Sequence, residues 1–337
     1  MTHTCPRHHT ITSLANLYNR DLYSSNRTGR FVAACTKLAM CSSNNDTISP
    51  PPSEFFPDVK SNLTKIVWAH AVNNHTELAK ALSSGDIMML EADVVLGKVN
   101  GTNSAYQVPI MAHPPANESD LSLEDFLETF IRQSNGSKGI KLDFKSDEVF
   151  DLSKNFLSKY RSNLKFPVFL NADILPGPVN ATTTPINAQT FLKGANETLP
   201  ESTLSVGWTT SYGKGLNITD GQYTLEQVQK MLDVLKENKV TQPITYPVRA
   251  GLVANDIESI KKLLENSTSS TTLTIWSSED DDVDVSQLSK LIQDVGLAKI
   301  YLDVPEKLKS QLNLTNASTV ANLGASLAFI LILLTLL

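Results

Sequence analysis

Cysteine is scarce: the chain has three in 337 residues, and Cys5, Cys35 and Cys41 all precede residue 42. No disulfide framework can hold the later part of the chain, so its core must stand on packing alone. Basic runs are missing too, and a net charge of -6 argues against nucleic acid as the main partner. The start, MTHTCPRHHT, lacks the apolar stretch of a signal peptide. A weak substitute comes later, where Arg27 and Arg30 precede FVAACTKLAMC, itself broken by Lys37. That stretch is either a poor internal signal or a sign that the first residues come from a misassigned start.

What is abundant is the Asn-X-Ser/Thr sequon. Thirteen occur, starting at Asn26, Asn45, Asn62, Asn74, Asn100, Asn117, Asn135, Asn180, Asn196, Asn217, Asn266, Asn313 and Asn316, against roughly 4–5 expected by chance for a chain rich in Asn, Ser and Thr. The excess predicts N-glycans and a secretory, extracellular setting. At the far end, Leu323–Leu337 reads LGASLAFILILLTLL with no charge, short of the ~20 apolar residues that span a bilayer. Small residues at Asn316-Ala317-Ser318, a polar-to-small spacer and this tail fit a GPI signal. A C-terminal membrane helix and a buried core segment are the alternatives. Residues 1–60 carry little periodicity and read as a poorly ordered leader, 61–312 as the folded domain, and 313–337 as the anchor signal or short membrane segment.

Within the domain, short β-rich runs alternate with amphipathic segments. The runs are IVWAHAV (66–72), IMMLEADVV (87–95), GIKLDFK (139–145), PVFLNADIL (167–175), LSVGWTT (204–210), PITYPVRAG (243–251), TLTIWSS (272–278) and KIYLDVP (299–305). The helical segments between them are apolar at i, i+3, i+4 spacing. Eight strand-helix repeats predict an α/β fold, a (β/α)8 TIM barrel, with an open doubly wound sheet as runner-up. Pro109–His113 is an extra strand segment or part of the loop after the second strand.

Barrel chemistry sits at the C-terminal ends of the strands. Those ends carry His70, Glu91 and Asp93, Asp143 and Lys145, Asn171 and Asp173, Trp208, Arg249, Trp276 and Asp303, with His113 on the loop after the second strand. Side chains two apart on a strand share a face, so Glu91 joins Asp93, and Lys141 joins Asp143 and Lys145. Glu91, Asp93 and Asp143 at one mouth would repel one another unless a cation intervened. Three carboxylates suit a hard divalent ion, Mg²⁺ or Ca²⁺, and the lack of cysteine at these strand ends, with only two candidate histidines, weakens the case for zinc. Lys145 and Arg249 are the candidate phosphate-binding groups and His70 and His113 the candidate acid and base, a set suited to phosphodiester chemistry. Lys141, Asn171, Asp173, Trp208 and Trp276 are expected to line the pocket. Paired carboxylates also serve glycosidases, for which the histidines and Lys145 are superfluous.

The order His70, Glu91-x-Asp93, His113, Asp143-x-Lys145 resembles the phospholipase-C-like phosphodiesterase superfamily, which includes the glycerophosphodiesterases. The phrases VWAHAVN (67–73), MLEADV (89–94), PIMAHPP (109–115), GIKLDFK (139–145), LNADILPGP (170–178), LSVGWTT (204–210), YPVRAG (246–251) and LTIW (273–276) are similar to the menorin family. The resemblance implies a barrel, a two-histidine role for His70 and His113, and a metal role for Glu91, Asp93 and Asp143, with Lys145 on the phosphate. The substrate would be a lysophospholipid or glycerophosphodiester. The chain lacks the His-Arg-Gly opening of the glycerophosphodiesterases, since Ala71-Val72-Asn73 follows His70. The menorin family is also linked to cell-surface complexes that shape neuronal dendrites, which implies a second possibility, a catalytically silent module that binds a cell-surface protein.

Overall fold

The computed structural model describes residues 47–59, 61–102 and 106–315. Cys5, Cys35 and Cys41, the sequons at Asn26, Asn45 and Asn316, and the apolar tail lie outside those residues. Among the described residues no helix is long and apolar enough to cross a membrane.

Eight parallel strands form the sheet: β1 (Trp68–Ala69), β2 (Met89–Val99), β5 (Gly139–Phe144), β6 (Val168–Pro176), β7 (Thr203–Thr209), β8 (Ile244–Arg249), β9 (Thr272–Trp276) and β10 (Ile300–Asp303). Neighbours pair in that order, and helices fill the connections. This is the expected (β/α)8 barrel. The segment Pro109–His113 supplies most of β3 (Val108–Met111), which pairs antiparallel with the far half of β2, while β4 (Glu118–Ser119) pairs parallel with the same strand. Polar side chains start the helices: Asn74, Ser122, Ser146, Asn187, Thr224, Asp256 and Asp284 each accept a bond from a first-turn amide.

Strand alternation divides the core in two. Leu90, Ala92 and Val94, Ile140, Leu142 and Phe144, and Leu204, Val206 and Trp208 face the helices and are buried there. Met89, Phe169 and Tyr301 point inward and form an apolar floor with Phe56, Val59, Leu63 and Ile66, edged by the ring of Trp68. The floor shows that the packed chain begins before residue 61. Ser49 is buried, its hydroxyl accepting from the Val168 amide at 3.1 Å, and the short helix Pro52–Phe55 leads into the floor residues. Above the floor the inward residues of β2, β5 and β6 turn polar: Glu91 pairs in register with Lys141, and Asp93 with Asp143 and Asn171.

The backbone ladder runs from β1 to β10 without joining those two strands among the described residues. Side chains close the gap, Trp68 against Tyr301 below and His70 against Asp303 above.

Candidate functional site

At the C-terminal end of the barrel, ligand atoms from Glu91, Asp93 and Asp143 lie within 4.8 Å of one another. Glu91 and Asp93 are buried and Asp143 half-buried. All but one of the six carboxylate oxygens are held by the frame. Asn73 grips Asp93 twice, its amide donating to Oδ2 at 2.8 Å while its own Oδ1 accepts from the Asp93 backbone at 2.9 Å. Asn171 donates to Asp143 Oδ1 at 2.6 Å and accepts from Ser205 at 2.5 Å. Lys145 Nζ bridges Asp93 Oδ1 at 2.8 Å and Asp143 Oδ2 at 2.5 Å. Glu91 Oε2 accepts from the Ala71 amide at 2.9 Å, and its Oε1 receives no hydrogen bond among the described residues. An all-oxygen set of this size, rigid and sharing one mouth, can hold a hard metal ion.

His70 sits at the open seam. Its Nδ1 lies 3.2 Å from Asp303 Oδ2 and 3.3 Å from Glu91 Oε2, although the ring is 63% exposed. The hydrogen bond to Asp303, reinforced by the charges of Glu91 and Asp303, lifts its pKa to about 9. Orienting Nδ1 toward carboxylates leaves Nε2 for the mouth. Burial pushes Glu91 upward, and His70 offsets this only in part. Burial also opposes ionisation of Asp143, yet the ammonium groups of Lys145 and Lys141 outweigh it and hold the carboxyl below its ordinary range. Asp173, inward on β6 and packed over Gly207, is raised to about 7 by burial and then by the charge of Asp143. Its carboxylate makes no hydrogen bond or ion pair among the described residues.

The other expected residues divide. Lys141 is buried on the inward face of β5, its ammonium 5.8 Å from the centre of the Trp68 ring. His113 follows β3 on the rim; its ring is exposed, Nδ1 lies 2.7 Å from its neighbour's Pro114 carbonyl, and it makes no hydrogen bond or ion pair with the carboxylates. Ala112 ties that rim to the site, donating to the Asp93 carbonyl at 3.1 Å. Arg249 is engaged elsewhere: Nε and Nη2 reach Asp281 at 2.8 and 2.6 Å, and the guanidinium lies 4.9 Å from the Trp276 ring. It pins the acidic loop after β9, so its charge is already matched by a fully buried carboxylate. Trp208 is not a pocket residue. Its indole is 2% exposed and packs outside the barrel against Tyr223 and Tyr246.

Asn73, Asp281 and the pairing of Asp303 with His70 escape sequence reasoning. Asn73 was visible beside His70 but carried no charge to mark it. Asp281 lies in a run of acids that reads as a solvated loop.

A family model described as the Menorin N-terminal domain matches residues 62–309. The human protein FAM151B is 38% identical over 242 residues, covering 72% of this chain and 83% of that protein. Among solved structures, a GH53 catalytic domain from Ignisphaera aggregans is similar at 10% identity with a TM-score of 0.41, covering 76% of this chain and 87% of that one.

Proposed function

The chain belongs to the menorin family, and from that premise we propose that its barrel mouth is a metal-dependent phosphodiesterase-like site, carried on a glycosylated and membrane-tethered extracellular protein. One observation carries the catalytic reading: Glu91, Asp93 and Asp143 converge within 4.8 Å, beside a histidine whose Nδ1 is fixed by two carboxylates. Five carboxylates, Glu91, Asp93, Asp143, Asp173 and Asp303, outnumber the three cations of the mouth, Lys141, Lys145 and the protonated His70, and although burial draws Glu91 and Asp173 toward the neutral form, the carboxylate oxygens suit a divalent cation. Mg²⁺ and Ca²⁺ both fit an oxygen-only set.

A divalent ion bound to the triad supplies Lewis-acid charge to a phosphoryl oxygen. The chain's own groups do the rest. Lys145, on the strand end between Asp93 and Asp143, turns its ammonium to a second phosphoryl oxygen. His70, protonated at neutral pH and held by Asp303, donates from Nε2 to the leaving oxygen. His113 on the rim takes a proton from water or from an internal hydroxyl of the substrate once its ring turns from Pro114 toward the mouth. The substrate class is a lysophospholipid or glycerophosphodiester. The test is turnover of a panel of lysophospholipids, glycerophosphodiesters and nucleotide diesters with Mg²⁺, Ca²⁺ or Mn²⁺. His70→Ala should abolish any turnover; turnover that survives the substitution, or its absence from the whole panel, refutes the reading.

A second reading has its own observation. The ring of His113 faces its own Pro114 carbonyl and Arg249 is tied to Asp281, as suits a silent barrel that binds a cell-surface protein. In that case His70→Ala leaves partner binding intact. The extracellular setting is supported by the sequons: of the ten on described residues, eight asparagines are exposed, and Asn62 and Asn74 are half-buried helix caps. Cell-surface display that is released by phosphatidylinositol-specific phospholipase C separates a GPI anchor from a membrane helix.

A further inference from the structure

Among the described residues, Lys145 is the one group that hydrogen-bonds two members of the acidic triad. Its ammonium lies 2.8 Å from Asp93 Oδ1 and 2.5 Å from Asp143 Oδ2, with only 24% of the side chain exposed. The remaining oxygens of those aspartates, Asp93 Oδ2 and Asp143 Oδ1, are taken by the side-chain amides of Asn73 and Asn171. A cation entering the triad therefore meets Glu91 Oε1 unencumbered but must share the two aspartates with a lysine that is already there. Charge-assisted bonds of this length are among the stronger ones in proteins, and like charges at such distances repel strongly where water is excluded.

We propose that Lys145 is a built-in competitor for the divalent ion, setting the triad's metal affinity low by holding the Asp93 and Asp143 oxygens. The inference rests on the metal reading of the triad and goes beyond it. It gives Lys145 a positioning role opposite in sign to that of a residue that merely supports the site: removing it tightens metal binding. It also makes the same side chain the link between ion and substrate, because a phosphoryl oxygen that draws Lys145 away frees two carboxylate oxygens for the ion.

Calorimetric titration of Mn²⁺ into the full chain tests this, in wild type and in Lys145→Met, Lys145→Gln, Lys145→Arg and Glu91→Gln. The neutral Met and Gln variants should bind Mn²⁺ about tenfold tighter or more, and should melt lower than wild type in chelator yet gain more on adding Mn²⁺. The Arg variant, which keeps the charge, should stay near wild type. Using two neutral variants guards against one that does not fold. Unchanged or weaker binding in the folded neutral variants, with wild-type binding that Glu91→Gln removes, overturns this inference alone. No Mn²⁺ binding in any variant overturns it together with the metal reading, whereas binding that appears only once Lys145 is neutralised supports both.

Discussion

At the scale of single residues, His70 and Asp303 act as one unit across the seam that the backbone leaves between β1 and β10. The pair sets the sign of the pH response. The pKa of His70 is raised in the folded chain from 6.5 to about 9, so its stabilisation is complete below 6.5 and lost as pH rises through about 9. Asp173, raised from 3.8 to about 7, acts in the same direction, since keeping its carboxyl neutral stabilises the fold at low pH and this is lost as pH passes about 7. Asp143 and Asp303 are shifted downward, and what they contribute is lost only as pH falls toward and below 3.8. In chelator, urea unfolding should therefore show stability declining from pH 5 to pH 9. Asp303→Asn should bring the NMR titration of His70 down toward 6.5 and flatten the upper part of that decline. A His70 titration unmoved by the substitution would leave Asp303 without this role.

At the scale of elements, alternation along each strand decides which residues reach the site. On β7 the inward set is Thr203, Ser205 and Gly207, and the outward set Leu204, Val206 and Trp208. Trp208→Ala should cost about 3–5 kcal/mol by chemical denaturation while leaving Mn²⁺ affinity unchanged, because the indole packs in the outer core against Tyr223 and Tyr246. The hairpin of β2 and β3, which carries His113, depends on Gly97: a Cβ there would lie 2.3 Å from the Asn117 carbonyl oxygen and 2.5 Å from Ile110 Cδ1. Gly97→Ala should lower the melting temperature and displace the His113 rim, read as chemical-shift changes confined to residues near 97 and 108–119.

These same elements explain what the sequence made legible. Each of the eight expected runs overlaps an observed strand, because apolar outward residues such as Ile140, Leu142 and Phe144 alternate with a polar inward row, Lys141 and Asp143, and because capping residues mark the helix starts. The same alternation placed Glu91 with Asp93. Trp208 went wrong since position at a strand end outweighed its parity, which was readable from the residues before it. Arg249 was legible as an inward cation but its partner was not, because a pairing with Asp281 is set by a loop with no periodic pattern. Likewise Asp303 meets His70 only through closure of the barrel, 233 residues apart in sequence.

At the scale of the whole molecule, the barrel is sealed at one end and charged at the other. The floor of Met89, Phe169 and Tyr301 packs an apolar layer beneath the carboxylates, and the segment before residue 61 completes it through Phe56 and Val59. Phe56→Ala should lower stability by about 3 kcal/mol in urea unfolding, and a chain begun at residue 61 should lose more than that; equal stability would show the segment to be dispensable. Its effect on the site should be indirect, through the tightness with which the floor holds Lys141 and Glu91 above it.

The central claim is that Glu91, Asp93 and Asp143 form a metal centre at the mouth of this barrel. Anomalous diffraction from a crystal soaked in Mn²⁺ tests it most directly. One strong peak within coordination distance of all three carboxylates, lost in Asp143→Asn, is the expected result. No peak at the triad at saturating Mn²⁺, or Mn²⁺ bound elsewhere with the three side chains unmoved, would contradict it.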